Sequence, residues 1–266
     1  MSSTTNQARK AEAFRALHAG EAFVIPNPWD AGSARALAGL GFKALASTSS
    51  GFAFTLGRLD GGVTLDEVAE HAAALDRATE LPVSVDLENG YGSDPESAAR
   101  AIERVAAAGA VGGSIEDYDH DAGLYERGHA VERVAAAVEA ARSLGFPFTL
   151  TARAENHIRG NPDLGDTIAR LQAFEEAGAD VVYAPGLRTA EEVRAVCAAV
   201  SKPVNVLALP ELSLAEVVEA GAQRVSVGGG LTWVAIAAMA AAAGEIRDEG
   251  DFSSLGVRLP LEDWLG

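Results

Sequence analysis

The chain has 266 residues, 48% of them hydrophobic, with 21 basic against 38 acidic side chains and a net charge of −17. That balance argues against nucleic acid as a partner, whose phosphates must be neutralised by Lys and Arg, and the lone Cys197 excludes an intramolecular disulfide framework or a multi-thiolate metal centre. No signal-peptide core opens the chain and the longest small-apolar run, Val234 to Gly244, falls short of a membrane span, so a cytoplasmic protein with no membrane partner is expected.

One pattern recurs: an alanine-rich helix stops at glycine and a short β-branched strand follows. The junctions at 38–42, 107–111, 176–180 and 219–223 are alike, each with a glycine where the left-handed residue past a helix belongs. A lead-in helix near 7–18 is placed to cap one end of the fold. The first strand, 22–25, runs into Asn27-Pro28-Trp29-Asp30 and a helix at 30–40. The second, 43–47, ends in Ser47-Thr48-Ser49-Ser50-Gly51, with Asp60 in the loop beyond. A helix at 64–79 opens on Thr64 with Glu67, a capping box. The third strand, 82–86, ends in Asp86 and Glu88 within a glycine-rich turn, and Asp94-Pro95 starts the helix at 94–108. The fourth, 112–116, ends in Glu116-Asp117; a helix at 129–144 follows. The fifth, 147–152, runs into Arg153, Glu155, Asn156 and His157. Helices at 163–177, 189–200 and 213–220 alternate with strands at 180–184, bearing Tyr183, at 203–208, bearing Asn205, and at 224–227, which leads into Gly228-Gly229-Gly230. A helical hairpin-like segment at 231–247 closes the series.

Eight strands alternating with helices predict an α/β fold, a (β/α)8 TIM-type barrel spanning 1–266 as one domain with 231–266 as a C-terminal helical extension. An open doubly wound sheet is the alternative. In such barrels chemistry sits at the carboxyl ends of the strands, which is where the polar residues fall.

Asp86 and Glu88, two residues apart on extended chain, project to the same side and repel unless a cation or a shared proton compensates them. With Asp60 and Glu116 they offer oxygen donors and no Cys or His of ligand spacing, a set that selects Mg2+ or Mn2+, some of the acids reaching it through water. Arg153, by a bidentate fork, and the hydroxyls of Ser47, Thr48 and Ser49 suit a carboxylate. A divalent cation that chelates a 2-oxo acid polarises the carbonyl and stabilises an enolate. Plainer readings stand beside these. Asp60 also suits a turn, Arg153 a structural pairing with Glu116, Trp29 packing, His157 a surface or supporting role and Cys197 a helix core. The triple glycine lacks the lysine of a phosphate cradle.

The stretches Asn27-Pro-Trp-Asp-Ala-Gly-Ser-Ala34, Leu56-Gly57 with Asp60, Asp86-Leu-Glu88-Asn-Gly90-Tyr91-Gly92, Ser114-Ile-Glu116-Asp117 and Thr151-Ala-Arg153-Ala-Glu155, in that order, resemble the isocitrate lyase and phosphoenolpyruvate mutase superfamily from about Ala13 to Gly244. The resemblance implies a barrel assembled as a homotetramer, or a dimer, with C-terminal helices exchanged between subunits, a role for the segment after residue 230. It implies Asp86 as the direct Mg2+ ligand, Glu88, Glu116 and Asp60 as holders of its waters, and Arg153 with Ser47–Ser49 as contacts of the substrate carboxylate. Trp29, Asp60, Gly92 and Asn205 complete the expected substrate contacts. Where Glu88 stands the motif usually has Asp; the longer acid still reaches a water. The isocitrate lyases carry a Lys-(Lys/Arg)-Cys-Gly-His loop after the fourth strand, and the mutases a lysine and asparagine that grip a phosphoryl group. This chain has neither between Asp117 and Gly128. The expected activity is therefore a Mg2+-dependent lyase cutting a C–C bond of a small 2-oxo or 2-hydroxy acid, similar to the superfamily's oxaloacetate decarboxylases. Glu116 and Arg153 are its catalytic candidates, with His120, Tyr118 or Tyr125 as proton donor. P–C bond chemistry, or a catalytically weak 2-oxo-acid binder, are the alternatives.

Overall fold

The computed structural model describes residues 3–266. Its strands are β1 (Phe23–Ile25), β2 (Leu45–Ala46), β3 (Val83–Asp86), β4 (Gly112–Glu116), β5 (Tyr118–Asp119), β6 (Gly123–Leu124), β7 (Thr149–Arg153), β8 (Val181–Tyr183), β9 (Val204–Leu207) and β10 (Arg224–Ser226). Eight of them form one parallel sheet in the order β1-β10-β9-β8-β7-β4-β3-β2, while β5 and β6 make a separate antiparallel pair. No ladder joins β1 to β2, but Ala46 N–H donates to Pro26 O at 3.1 Å across that seam. Asn27 ties the same ends together: its Nδ2 donates to Ser47 O and its Oδ1 accepts from Val227 N and Gly228 N, all at 2.9 Å. The sheet is thus a nearly closed barrel of the predicted kind, and each expected strand lies within a residue or two of an observed one.

The helices are α1 (Ser3–Leu17), α2 (Ala31–Gly39), α3 (Ser49–Thr55), α4 (Leu65–Ala78), α5 (Pro95–Ala107), α6 (Arg127–Ser143), α7 (Leu164–Glu176), α8 (Ala190–Ala199), α9 (Leu214–Glu219), α10 (Gly230–Glu249) and α11 (Leu261–Leu265). Thr64 and Glu67 form the expected capping box, and Asp30/Ser33, Thr189/Glu192 and Ser213/Glu216 do the same. Such caps stabilise a helix end by about 1 kcal/mol. Alanines at the buried faces, such as Ala98 and Ala101 of α5 and Ala137 and Ala141 of α6, form the shell between sheet and helices with Val85, Leu87 and Leu150.

The amino end of the barrel is stopped by α1. A Cβ on Gly112 would lie 2.7 Å from Phe14 Cε1, so only glycine lets that ring enter between the strands. Ala11, Phe14, Phe23 and Ile25 form a small cluster there.

Two local expectations need correction. The run after Ser47 is not a loop: Thr48 accepts from Gly51 N at 3.3 Å and caps α3. The segment 231–247 is no hairpin. Gly244 meets nothing within 4 Å and is carried inside one continuous helix, which ends at Gly250 with φ +68. The chain's end packs on its own barrel, Trp264 seating against Gly39 of α2 and Arg35 Nη1 donating to Leu265 O at 2.7 Å. Among the described residues no helix is long and apolar enough to cross a membrane.

Candidate active site

The register of the sheet builds the site. Glu116 pairs with Arg153, Arg153 with Tyr183, Tyr183 with Asn205 and Asn205 with Arg224, so these side chains form one row around the inside of the barrel. Asp86 pairs with Ser114 in the neighbouring row. A cavity of about 180 Å3 opens at the carboxyl ends of the strands, lined by Asp86, Asp60, Ser47, Thr48, Ser49 and Arg153 at its mouth and by Asn205, Ser226 and Arg224 below. That is smaller than pockets for drug-sized ligands and suits a small acid. A second cavity, about 440 Å3, lies at the opposite end between α1, α6 and Phe146–Phe148, and holds none of the clustered acids.

The turn after β3 is held under strain. Glu88 (φ 48) and Tyr91 (φ 62) occupy left-handed backbone without being glycine, a conformation that costs of order 1 kcal/mol and persists where surroundings enforce it. They do: Asn89 Oδ1 accepts from Tyr91 N at 3.0 Å, its Nδ2 donates to Asp119 and to Tyr125 Oη, and Arg133 donates to Asn89 O and Asp94 O.

Arg153 is the hub. Its Nη1 donates to Asp86 Oδ1 at 2.8 Å, its Nη2 meets Glu116 at 3.0 Å and Glu155 at 2.8 Å, and its Nε donates to Glu155 at 3.0 Å. Burial works against its charge, but Glu155, Glu116 and Asp86 outweigh it and hold its pKa above the ordinary value. The pairing with Glu116 foreseen as the plainer reading is therefore present, and most of its N–H donors are already engaged. Burial pushes the Glu116 carboxyl well above the usual range, with Arg153 acting the other way.

Asp86 Oδ1 also accepts from Ser114 Oγ and Glu88 N, both at 3.3 Å, and Ser47 Oγ accepts from Asp86 N at 2.8 Å. Its Oδ2 has only a long 3.5 Å contact from Ser49 N. Glu88 is buried, its Oε1 without a hydrogen-bond partner, and its pKa is pushed up to about 8 by burial, then by Asp86 and Asp60. The buried Tyr91 hydroxyl faces the same acids and acts against the rise at Glu88. An open carboxylate oxygen, an orphaned one and an excess of hard oxygen donors fit a divalent cation. Among the described residues no three His, Cys, Asp or Glu side chains are grouped so as to hold a metal ion together.

His120 Nε2 lies 3.3 Å from Glu88 Oε2 and packs on Gly61, while the Tyr118 ring stands edge-on to His120 and carries the Arg159 guanidinium at 3.9 Å. Tyr125 is set apart, its hydroxyl committed to Asp119 and Asn89. Asp60 is exposed at the rim. Two expected substrate contacts do not line the cavity: Trp29 packs its Cβ over Gly51, and Gly92 faces Ser97. His157 bonds Thr167 Oγ1 at 2.9 Å, and Cys197 lies in α8 against Gly221 with its thiol pushed up to about 11 by burial. Arg224, Tyr183 and Ser226 line the cavity and were not among the expected site residues. Their signal was alternation within strands, readable only once the register is known.

A row of acids around one arginine, at the carboxyl ends of barrel strands, defines a barrel enzyme site. Residues 14–247 match the family described as phosphoenolpyruvate phosphomutase, and the chain belongs to that family, within the phosphoenolpyruvate mutase/isocitrate lyase superfamily of enzymes. It is 32% identical to the 2-methylisocitrate lyase of Halalkalibacterium halodurans over 236 residues, covering 85% of this chain and 73% of that one. To the oxaloacetate decarboxylase of Rhodopseudomonas palustris (strain TIE-1) it is 31% identical over 225 residues, covering 81% and 76%. A crystal structure of a protein assigned as a lyase/mutase from Burkholderia cenocepacia J2315 matches with a TM-score of 0.94 at 52% identity, covering 98% of this chain and 96% of that one.

Proposed function

We propose that the chain is a Mg2+-dependent lyase that breaks a C–C bond of a small 2-oxo or 2-hydroxy carboxylic acid through a pyruvate-type enolate, with oxaloacetate decarboxylation as its nearest reaction. The observation that carries this is the buried Glu88 crowded by Asp86 and Asp60, its carboxyl pushed up to about 8 by burial and those two acids, where a cation would stabilise the ionised form. Asp86 would hold the ion directly, with Glu88, Glu116 and Asp60 holding its waters; Mn2+ would fit the same donors. When bound it supplies Lewis acidity to the 2-oxo carbonyl. The chain's own residues do the rest. Ser47 and Ser49 position the substrate carboxylate near Asp86, and Arg153 locks Asp86 and Glu116 in place. As CO2 departs, or an aldehyde whose hydroxyl proton passes to a neighbouring carboxylate, the electron pair of the broken bond passes to the carbonyl oxygen and the enolate carbon takes a proton. His120, 3.3 Å from Glu88 Oε2 and outside the cavity lining, is the candidate donor, with Tyr118 edge-on to it. Between 117 and 128 no Lys or Asn offers a grip on a phosphoryl group.

Oxaloacetate loss should be metal-dependent, stopping with EDTA and returning with Mg2+. Metal-independent turnover would sink the proposal, phosphate release from phosphonopyruvate would favour P–C chemistry, and 2-oxo-acid binding without turnover would favour a binder. Because Glu88 titrates near 8, it carries a proton in the metal-free protein at lower pH, and ion binding must displace that proton. Mg2+ affinity should therefore rise with pH, by up to about tenfold per unit well below pH 8, and level off above it. Calorimetry between pH 6 and 9 checks this, and Glu88→Gln should flatten the slope. A flat wild-type profile would remove Glu88 from the ion's surroundings.

Assembly of copies rests on α10. Thr232 is its one buried residue, while Trp233, Val234 and Met239 are 45%, 66% and 60% exposed. A second copy covering this face, as exchanged helices would in a homotetramer or dimer, is the proposal. Light scattering should find an oligomer that Met239→Glu shifts to a smaller species; a monomeric wild type would end it.

A further inference from the structure

Below the acids, one cation inside the barrel has no acid of its own. Arg224 is 5% exposed. Its Nε donates to Asn205 Oδ1 at 2.8 Å, its Nη2 donates to Thr151 Oγ1 at 2.9 Å, and its Nη1 lies 3.2 Å from His18 Nε2. All three partners are neutral. Burial, and then Arg224 itself, push the His18 pKa down to about 3, so at neutral pH the ring is uncharged; its Nδ1 meets Phe14 O at 2.9 Å, leaving Nε2 to accept. Among the described residues no Asp or Glu forms an ion pair with Arg224, whereas Arg153 is shared by three. Burial lowers the Arg224 pKa to about 10, still charged at neutral pH.

A guanidinium removed from water without a counter-ion is unfavourable unless something else balances it. The cavity that opens at Asp86 reaches down to Arg224, with Asn205 and Ser226 beside it. Arg153 cannot supply net positive charge to a bound anion, since its carboxylate neighbours exceed its charge. Arg224 can. It also fixes the Asn205 amide: by donating to Oδ1 it turns Nδ2 toward Ser226 Oγ, 3.0 Å away on the cavity wall.

We propose that Arg224 is the counter-charge for the bound substrate, a specificity-determining residue that makes the cavity floor favour a fully ionised dianion over a monoanion of the same shape, acting through its field and through Asn205. This rests on the reading that the cavity takes a small 2-oxo acid.

The test compares oxalate with oxamate, planar probes of nearly one shape that differ by one negative charge, by calorimetry on the Mg2+-loaded protein. Wild type should prefer oxalate. Arg224→Met should weaken oxalate at least about tenfold while oxamate changes little, collapsing the preference. Arg224→Lys should keep most of it, and Thr151→Val, which removes one hydrogen bond and no charge, should leave it unchanged. If the Met variant fails to fold, Arg224→Gln takes its place beside the Lys variant. A preference that survives loss of the charge, an equal loss for both probes, or a folded Lys variant that has lost the preference would overturn the role of Arg224. A wild type that binds neither probe would instead overturn the reading of the cavity on which it rests.

Discussion

Asp86→Asn is expected to reduce oxaloacetate turnover by about three orders of magnitude, equivalent to ~4 kcal/mol of transition-state stabilisation, while the protein stays folded. The amide has the shape of the carboxylate and can still accept from Arg153 Nη1, Ser114 Oγ and Glu88 N on one oxygen. What disappears is the charge. Arg153 retains Glu116 and Glu155, so little stability should be lost. Asp86 is also one of the two acids that raise the Glu88 pKa, so the variant's Glu88 should titrate lower and its ion binding should release fewer protons. A steady-state assay beside a thermal melt reads both consequences. Near-normal turnover in a folded variant would remove Asp86 from the chemistry.

Arg153→Met has the opposite signature, with a large loss of stability as well as of activity. Asp86, Glu116 and Glu155 would be left facing one another inside the barrel with only Arg159 nearby, which reaches Glu116 at 3.5 Å and Glu155 at 3.1 Å. Breaking a buried charge network in this way typically costs about 3–5 kcal/mol, or roughly 10 °C of melting temperature in a domain of this size. The sign of its pH dependence follows from the carboxylates. With the guanidinium gone their native pKa values rise, so the variant binds more protons folded than unfolded, and its deficit widens as pH increases from the normal carboxylate range upward. Urea unfolding at pH 5.5 and pH 8 should show a smaller gap from wild type at the lower pH. Equal stability at pH 8 would mean that the network is solvated rather than buried.

Much of this was legible in the chain. The strands could be placed because most follow a helix stopped by glycine, with β3 and β9 following Pro82 and Pro203 instead, and because β-branched pairs such as Val83 and Val85 sit between a proline and an acid. The acids and Arg153 could be placed because they stand at strand ends, where barrel geometry puts them in one mouth. What the chain hides is register. Arg224 begins its strand in Gln-Arg-Val-Ser and reads as a flanking charge; only the pairing of β10 with β9 sets it opposite Asn205. Trp29 and Gly92 mislead for the converse reason, since adjacency to a motif along the chain is not adjacency to its cavity. The 231–247 segment runs as one helix because glycine disfavours helices by only about 1 kcal/mol, too little for Gly244 to interrupt a run of alanines. The seven residues after Thr48 looked like a loop because serine and glycine dominate its start.

Phe14 wedged against Gly112, with His18 under Arg224, puts a stopper between the floor of the site and the amino end of the barrel. On the reaction proposed above, an anion seated beside Arg224 would have to leave past the rim at Asp60 and Asp86. The route of release is thus written into the stopper at the far end, by a helix that touches none of the reacting groups.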